Sequence, residues 1–306
     1  MTLKDVAKKA NVSLSTACKA INNNKDVSEE TRQAVLDAAN ELNYFGVKKK
    51  TILENRKHSS PNFAIICPEI TSPYYSRIVF EFCRIAEQKG CGTAIYNSSF
   101  SPQAVSEMAK NFNALPIFDA VFSLSAIDAE TKFEIPVIAS SGGTSRYSVN
   151  DDGLQSAVNY LRQSGIEDIA YIGENLTASK NKSFHDICGG KTFISEKRFE
   201  DAGRDAAEFF LKNGMPKAVI CGYDEIAIGF INTLEKSGIK VPRDIRVIGD
   251  NDIPLAKYFC GGLTSISYNY DEILPTVIDD IISDITANKI QSRSYKIKTQ
   301  LILRNT

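Results

Sequence analysis

Residues 11–23, NVSLSTACKAINN, would carry two different faces if they form a helix. At helical spacing, Ala17, Ala20 and Ile21 fall on one apolar stripe. The opposite face holds a cation, a short hydroxyl, an amide, a thiol and an apolar side chain, supplied by Leu14, Ser15, Cys18, Lys19 and Asn22. Because a solvated helix face is usually charged, this mixed face predicts a surface that binds a partner through hydrogen bonds and apolar contact.

Capping signals around this stretch predict the helices that position it. TLKD at residues 2–5 has the pattern of a capping box, in which Thr2 and Asp5 begin a helix that runs to about residue 10. Asn11 tolerates the positive φ of a tight turn, and Ser13 caps the next helix. Ser28 caps a third helix over EETRQAVLDAANELNY. Two short helices joined by a tight turn form a helix-turn-helix unit, which favours DNA binding over a plain three-helix bundle without a ligand.

The distribution of charge supports the same interpretation. Residues 1–60 contain 11 Lys and Arg against 7 Asp and Glu, whereas the rest of the chain contains 25 against 30. A small basic head on a larger acidic body is typical of a chain whose head binds a polyanion.

Composition excludes several other classes of protein. No apolar run approaches the ~18 to 20 residues that a membrane span needs, and MTLKDVAKKA lacks the apolar core of a secretory signal. We therefore expect a cytoplasmic protein with no membrane partner. Seven cysteines without a C-x-x-C pair indicate reduced thiols rather than a disulfide or zinc framework. We expect neither a metal nor a cofactor.

Beyond residue 60, short apolar runs alternate with helical stretches. The runs are FAIICP, CGTAIYN, AVFSLS, PVIAS, DIAYIG, AVIC and IRVIG. This βαβ rhythm predicts an α/β body with parallel sheets, and their span exceeds that of one sheet. Catalytic patterns are poor: His58 and His185 have no metal-ligand spacing, SSGGTS lacks the P-loop lysine, and no serine lies in a G-x-S-x-G elbow. We predict that the chain is not an enzyme and has no catalytic residues.

The amino-terminal segment TLKDVAKKANVSLSTACKAINNNKDVSEETRQAVLDAANELNY resembles the DNA-binding domain of the lactose-repressor (LacI/GalR) family of bacterial transcription regulators. The body is similar to that family through FAIICPEITSPYYSRIV, DIAYIG, AVICGYDEIAIG, GIKVPRDIRVIGDNDIPLA and LTSISYNY. The resemblance covers nearly the whole chain. It implies a homodimeric regulator, by default a repressor, that binds a near-palindromic operator in double-stranded DNA.

The resemblance also implies which residues of the head contact DNA. The second helix would lie in the major groove, with Leu14, Ser15 and Lys19 at base edges. Leucine offers only apolar contact, and lysine lacks the bidentate fork of the arginine that the family usually has at this position. Contacts to phosphates, which set the register on the duplex, are expected from Thr2, Ser13, Thr16 and Asn22.

The resemblance implies three segments. They are a helix-turn-helix domain at residues 1–45, a hinge at 46–60, and an effector-binding and dimerisation domain at 61–306. In the hinge, Leu53 would wedge into the minor groove beside Lys50. The last domain would contain two doubly wound α/β subdomains like those of periplasmic sugar-binding proteins, an N-subdomain at about 61–148 plus 268–289 and a C-subdomain at about 149–267 plus 290–306.

An effector cleft is expected between the subdomains, at the carboxyl ends of the strands. Tyr74 and Tyr75 match aromatic residues on which family members stack a sugar or a base. The family's sugar-binding positions are occupied here by Ser141, approximately Phe184, Tyr223 and Asn251, so no bidentate arginine faces the cleft at the place that the family expects. The complete predicted set is Ser72, Tyr74, Tyr75, Ser125, Ser141, Phe184, Tyr223 and Asn251.

Two interpretations of the cleft stay open at this point. It binds a sugar, a sugar phosphate or another polar metabolite, with Lys180, Lys182, His185 or Arg146 as cations for an acidic ligand. Alternatively, it binds no small molecule, and regulation uses protein level or a protein partner. A rival to both is a ligand-binding protein whose head no longer reads DNA.

Overall fold

A computed structural model describes residues 2–22, 24, 26–42, 44, 60–114, 117–287 and 289–306. The predicted minor-groove residues Lys50 and Leu53 lie outside the described residues. Within the described ranges, none of the helices combines the length and the apolar character that a membrane crossing needs.

Three short helices form the head: α1 (Leu3–Lys9), α2 (Leu14–Ile21) and α3 (Glu29–Glu41). The predicted caps are confirmed, since Thr2, Ser13 and Ser28 each accept a hydrogen bond from a backbone amide in the first turn. Asn11 has the predicted positive φ, at 54°. The three helices enclose a small core of alanine and valine side chains, made of Val6, Ala7, Ala17, Ala20, Val27, Val35, Ala38 and Ala39.

Alternating strands and helices make up the body, as predicted. In chain order they are β1 (Asn62–Cys67), α4 (Pro73–Gln88), β2 (Gly92–Asn97), α5 (Pro102–Ala114), β3 (Ala120–Ser123), β4 (Val137–Ala139), β5 (Ser145–Val149), α6 (Asp152–Gln163), β6 (Ile169–Glu174), α7 (Ala178–Cys188), β7 (Lys191–Ser195), α8 (Phe199–Asn213), β8 (Ala218–Cys221), α9 (Asp224–Lys236), β9 (Arg246–Asp250), β10 (Thr264–Tyr268), α10 (Tyr270–Ala287), β11 (Ser294–Ile297) and β12 (Thr299–Ile302).

These strands form two six-stranded sheets. The order is β11-β5-β4-β3-β1-β2 in the first and β12-β10-β9-β8-β6-β7 in the second. The described pairs are parallel except for β10 with β12. We call the first sheet with α4, α5 and α10 the N-subdomain, and the second sheet with α6, α7, α8 and α9 the C-subdomain.

The chain passes between the subdomains three times, after β5, after β10 and at Lys298. The third passage lies later than the predicted boundary at residue 290. β11 pairs with β5 in the first sheet, because Tyr295 and Ile297 alternate into the N-subdomain core beside Tyr147. The expectation that residues 290–297 belong to the C-subdomain is therefore wrong.

Candidate functional site

The exposed face of α2 is fixed by its cap and by its buried face. Ser13 Oγ accepts a hydrogen bond from the amide of Thr16 at 3.0 Å, and the two hydroxyls lie 2.8 Å apart. Ala17 and Ala20 are buried, so Leu14 is left 51% exposed on the opposite side. An apolar side chain that the fold itself leaves in solvent is available for contact with another molecule.

The partners that the described part of the chain offers the polar groups of this face are weak. Lys19 Nζ lies 3.5 Å from a carboxylate oxygen of Asp26, and both side chains are exposed. Asn22 Nδ2 lies 3.5 Å from Cys18 Sγ. Exposed pairs of this kind contribute little free energy, so Lys19 and Asn22 can change partner at small cost.

Between the two subdomains lies a cleft of about 420 Å³. Five of the eight predicted residues line it: Ser72, Tyr74, Tyr75, Tyr223 and Asn251. Each follows the carboxyl end of β1, β8 or β9. The rule that ligands bind at this end of parallel strands therefore accounts for these five residues.

The other three predicted residues do not line the cleft. Phe184 is fully buried, and its ring packs 5.4 Å from that of Tyr171 in the C-subdomain core. Ser125 is buried with its hydroxyl 2.7 Å from that of Ser98. Ser141 donates to the carbonyl of Ile127 at 3.3 Å. The structure therefore does not bring these three residues to the cleft with the other five, since each makes an internal contact elsewhere.

Aromatic rings cover one wall of the cleft. Tyr74 packs edge to face on Tyr75 and on Tyr268, with centroids 5.0 and 5.6 Å apart. The Tyr74 hydroxyl lies 2.8 Å from that of Tyr270, which fixes its ring. Burial raises the pKa of Tyr75 to about 12, so its hydroxyl stays a neutral donor. This wall offers ring faces and hydroxyls, the groups that suit an uncharged polar ring.

Of the four cations considered for an acidic ligand, Lys180 lines the cleft, whereas Lys182, His185 and Arg146 do not. Lys180 Nζ donates to Asp250 at 2.9 Å, to the carbonyl of Gly222 at 3.0 Å and to Asn251 at 3.3 Å. These three bonds use all the hydrogens of the ammonium group.

Lys180 is also held by rings and by a buried carboxylate. Its Nζ lies 4.9 Å from the ring centroid of Tyr223 and 5.5 Å from that of Tyr268. Burial raises the pKa of Asp250, although Lys180 opposes the shift. Lys180 is therefore a structural cation of the cleft floor.

Arg198 is a cleft residue that the sequence did not reveal. It precedes α8 and lines the cleft. Its fork donates to both carboxylate oxygens of Glu69 at 2.6 and 3.1 Å, and its Nε donates to Glu174 at 3.0 Å. Arg198 does not occupy the family's expected arginine position, which aligns near Phe184, so the cleft holds a bidentate arginine at a different place. The sequence does indicate Arg198 indirectly, because Arg198 follows the short strand β7, KTFIS, and ligands bind at the carboxyl ends of such strands. The runs identified from the sequence did not include this strand.

A buried carboxylate positions the cleft loop after β9. Asp224 accepts hydrogen bonds from the amide of Ile253 at 2.8 Å and from the hydroxyl of Ser265 at 2.6 Å. In this loop Asn251 and Asp252 have φ values of 107° and 48°, a conformation that needs such support. Burial outweighs both hydrogen bonds and raises the pKa of Asp224 to about 7.

The site holds no recognisable metal centre in the described residues, which contain no group of three His, Cys, Asp or Glu side chains placed to bind an ion. Its chemistry is recognition, through an exposed helix face in the head and a polar cleft in the body.

Two family patterns match the chain. The pattern for bacterial regulatory proteins of the lacI family matches residues 2–45, and that for a periplasmic binding protein-like domain matches residues 158–306. The chain belongs to the lacI family. It is a DNA-binding transcriptional regulator with an effector-binding domain, in a family of regulators rather than enzymes.

Relatives of this lacI-family chain span its full length. It is 25% identical over 332 residues to the HTH-type transcriptional repressor PurR of Histophilus somni, covering 100% of this chain and 98% of the relative. The PurR repressor of Erwinia tasmaniensis is 27% identical over 331 residues, with 100% and 96% covered. The probable repressor ExuR of Bacillus subtilis is 25% identical over 334 residues, with 100% and 98% covered.

Solved structures confirm the fold of this lacI-family regulator. A lac repressor dimer bound to operator and the anti-inducer ONPF superposes with a TM-score of 0.71 at 20% identity, covering 100% of this chain and 98% of the other. A complex of the transcriptional regulator CelR with cellobiose gives a TM-score of 0.68 at 19% identity, with 100% and 99% covered. The predicted architecture, a helix-turn-helix head on a doubly wound α/β body, is confirmed.

Proposed function

We propose that this lacI-family chain is a repressor that binds a near-palindromic operator as a homodimer and responds to an uncharged polar effector. The observation that carries the DNA-binding part is the face of α2, where Leu14 and Lys19 are exposed while Ala17 and Ala20 anchor the helix. Because operator DNA lies in the cytoplasm of a bacterium, we infer that the protein works there.

Within this proposal, residues 1–45 read DNA, 46–60 form the hinge, and 61–306 bind the effector and dimerise. Base contacts come from Leu14, Ser15 and Lys19. Leu53, beside Lys50, occupies the minor groove. Phosphate contacts come from Thr2, Ser13, Thr16 and Asn22. Thr2 and Ser13 are N-caps, where the first backbone amides of the helix also suit a phosphate, whereas Asn22 at the end of α2 would donate through its side-chain amide.

Dimerisation follows from the need to span two half-sites and is supported by an exposed apolar face. Phe80 on α4 is 64% exposed and Ile95 on β2 is 47% exposed. Apolar side chains this exposed are typical of an interaction surface when they lie together. The lac repressor to which the chain is similar is itself a dimer on operator DNA.

An uncharged effector is favoured by the pairing inside the cleft. Lys180 is neutralised by Asp250, and Arg198 by Glu69 and Glu174. A charged ligand would have to break one of these pairs and leave a partly buried partner charge uncompensated, which is costly. The Tyr74, Tyr75 and Tyr223 rings with nearby hydroxyls suit a sugar, and the CelR relative binds cellobiose.

The decisive experiment measures binding to DNA duplexes selected from a random palindromic pool, over a range of salt concentrations. We expect strong salt dependence and a marked preference for the selected duplexes over random ones. Lys19→Ala should cost about 1 to 3 kcal/mol and relax the preference at one base pair in each half-site.

Lys9→Ala is the matched control, because Lys9 on α1 pairs with Glu41 and lies off the reading face. It should weaken all duplexes alike and leave the sequence preference unchanged. If wild type bound every duplex weakly and equally, the chain would be a ligand-binding protein that does not read DNA. If Lys19→Ala weakened all sequences equally, Lys19 would be a phosphate contact.

A further inference from the structure

Arg198 connects the two subdomains directly. It stands at the start of α8 in the C-subdomain, whereas Glu69 follows β1 in the N-subdomain, 129 residues earlier in the chain. Both terminal nitrogens of the guanidinium bond to the two oxygens of the Glu69 carboxylate. A bidentate charge-assisted pair of this geometry is among the stronger contacts that two side chains can make.

Burial and a second carboxylate strengthen this contact. The Arg198 side chain is 35% exposed and that of Glu69 is 20% exposed, so water screens the pair only in part. Glu174, which is 1% exposed, binds Nε of Arg198 and also accepts the amide of Phe199. Glu174 therefore holds the guanidinium in place from the C-subdomain side and leaves its fork free to bind the N-subdomain.

Two phenylalanines with unusual backbone conformations lie against the guanidinium. The central carbon of Arg198 is 5.6 Å from the ring centroid of Phe100, in the N-subdomain, and 4.3 Å from that of Phe199, in the C-subdomain. Their φ values are 57° and 53°. A bulky residue rarely adopts positive φ, and such strain concentrates at ligand clamps and switch regions.

The contact also divides the space between the subdomains. Glu69 and Arg198 line both the cleft of about 420 Å³ and a second cavity of about 340 Å³ beside the loops after β1 and β2. The pair thus stands between the two cavities, where relative movement of the subdomains would separate its members.

We propose that Arg198, Glu69 and Glu174, with Phe100 and Phe199, form an inter-subdomain latch that holds the cleft closed without a ligand. The closed arrangement is then a property of the chain itself. A ligand changes the arrangement only by the difference between its affinities for the latched and unlatched forms. This inference concerns closure alone and does not depend on DNA binding.

Glu69→Gln is the primary test, because it neutralises one member of the latch and leaves the buried Glu174 paired with Arg198. The full-length, ligand-free protein is examined by small-angle X-ray scattering and by hydrogen–deuterium exchange. We expect a larger radius of gyration, and about tenfold faster exchange in residues 68–72 and 196–200, as for the loss of one charge-assisted bond.

Asp279→Asn is the matched control, because Asp279 pairs with Lys89 at 2.6 Å inside the N-subdomain. It makes the same change of charge and should leave both measurements unchanged. An unchanged radius of gyration in Glu69→Gln, or an equal increase in Asp279→Asn, would overturn the proposal.

Arg198→Lys tests the other member of the latch and keeps the positive charge beside Glu174. Because lysine lacks the bidentate guanidinium, the Arg198→Lys variant should have a more open cleft. The double variant Arg198→Lys with Glu69→Gln should be no more open than the more open of the two single variants. Additive opening in the double variant would show that the two residues act independently and would also overturn the proposal.

Discussion

At the scale of single residues, Asp224 has the clearest consequence for stability. Its pKa of about 7 in the folded protein lies above the ordinary value of 3.8. Between these values the folded chain holds a proton that the unfolded chain has lost. The free energy of unfolding should therefore fall as pH rises from about 4 to about 7, by up to about 1.4 kcal/mol per pH unit from this group.

Asp224→Asn should make this pH dependence shallower, because the amide is neutral throughout. Urea denaturation of wild type and variant at several pH values in that window measures the difference. Asp244→Asn is the control: Arg243 lowers the pKa of Asp244 to about 2, so its contribution to stability is lost only below pH about 4. Equal slopes for wild type and Asp224→Asn would contradict the assignment.

At the scale of elements, the closest packing in the C-subdomain is between α8 and α9. A Cβ atom on Gly229 would overlap the carbonyl oxygen of Glu200, and one on Gly203 would overlap that of Ile226. The two helices approach at their backbones, which only glycine permits. This contact holds α8, and hence Arg198 at its start, in position.

Gly229→Ala should therefore destabilise the protein by about 1 to 3 kcal/mol, although alanine favours an isolated helix. Urea denaturation would measure the loss. Glu208→Ala, on the exposed side of α8, should change the free energy of unfolding by less than about 0.5 kcal/mol. A stabilised Gly229→Ala variant would show that helix propensity has a larger effect on the free energy of unfolding at this position than the close approach of the two helices.

The elements also show where prediction from sequence succeeds. Capping residues such as Thr2 and Ser13 act within one turn, so the helices of the head could be predicted from short stretches of sequence. The subdomain boundary at β11 could not be predicted in this way. Exposed and buried residues alternate without a break from 294 to 300, through β11 and into β12, yet the chain changes sheet at Lys298. The pattern of a strand indicates which of its side chains are buried, but it does not indicate which sheet the strand joins.

At the scale of the whole molecule, the cleft was only partly predictable for a related reason. Strand ends located Tyr74, Tyr223 and Asn251, because that rule needs only the order of strands and helices. The pairing of Arg198 with Glu69 depends on how the two subdomains meet. The sequence around each residue does not indicate its partner, so the ion pairs of the cleft could be identified only from the three-dimensional structure.

The arrangement of exposed apolar groups on the N-subdomain favours self-association. Ile95 pairs in register with Ile65, whose side chain lies in the core beneath α4, so both face the same side of the sheet. Thr93 on β2 donates to Cys83 on α4 at 3.4 Å. Phe80 lies one turn before Cys83, and therefore Phe80 and Ile95 belong to one surface.

Phe80→Glu should weaken the dimer about tenfold or more, because it places a charge in an apolar contact that must lose its water. Sedimentation equilibrium measures the dissociation constant directly. Affinity for a two-half-site operator should fall with it, while affinity for an isolated half-site should not change. Ile290→Glu is the control, since Ile290 is 52% exposed in the loop before β11. Equal effects of the two substitutions would exclude the Phe80 surface as the dimer interface.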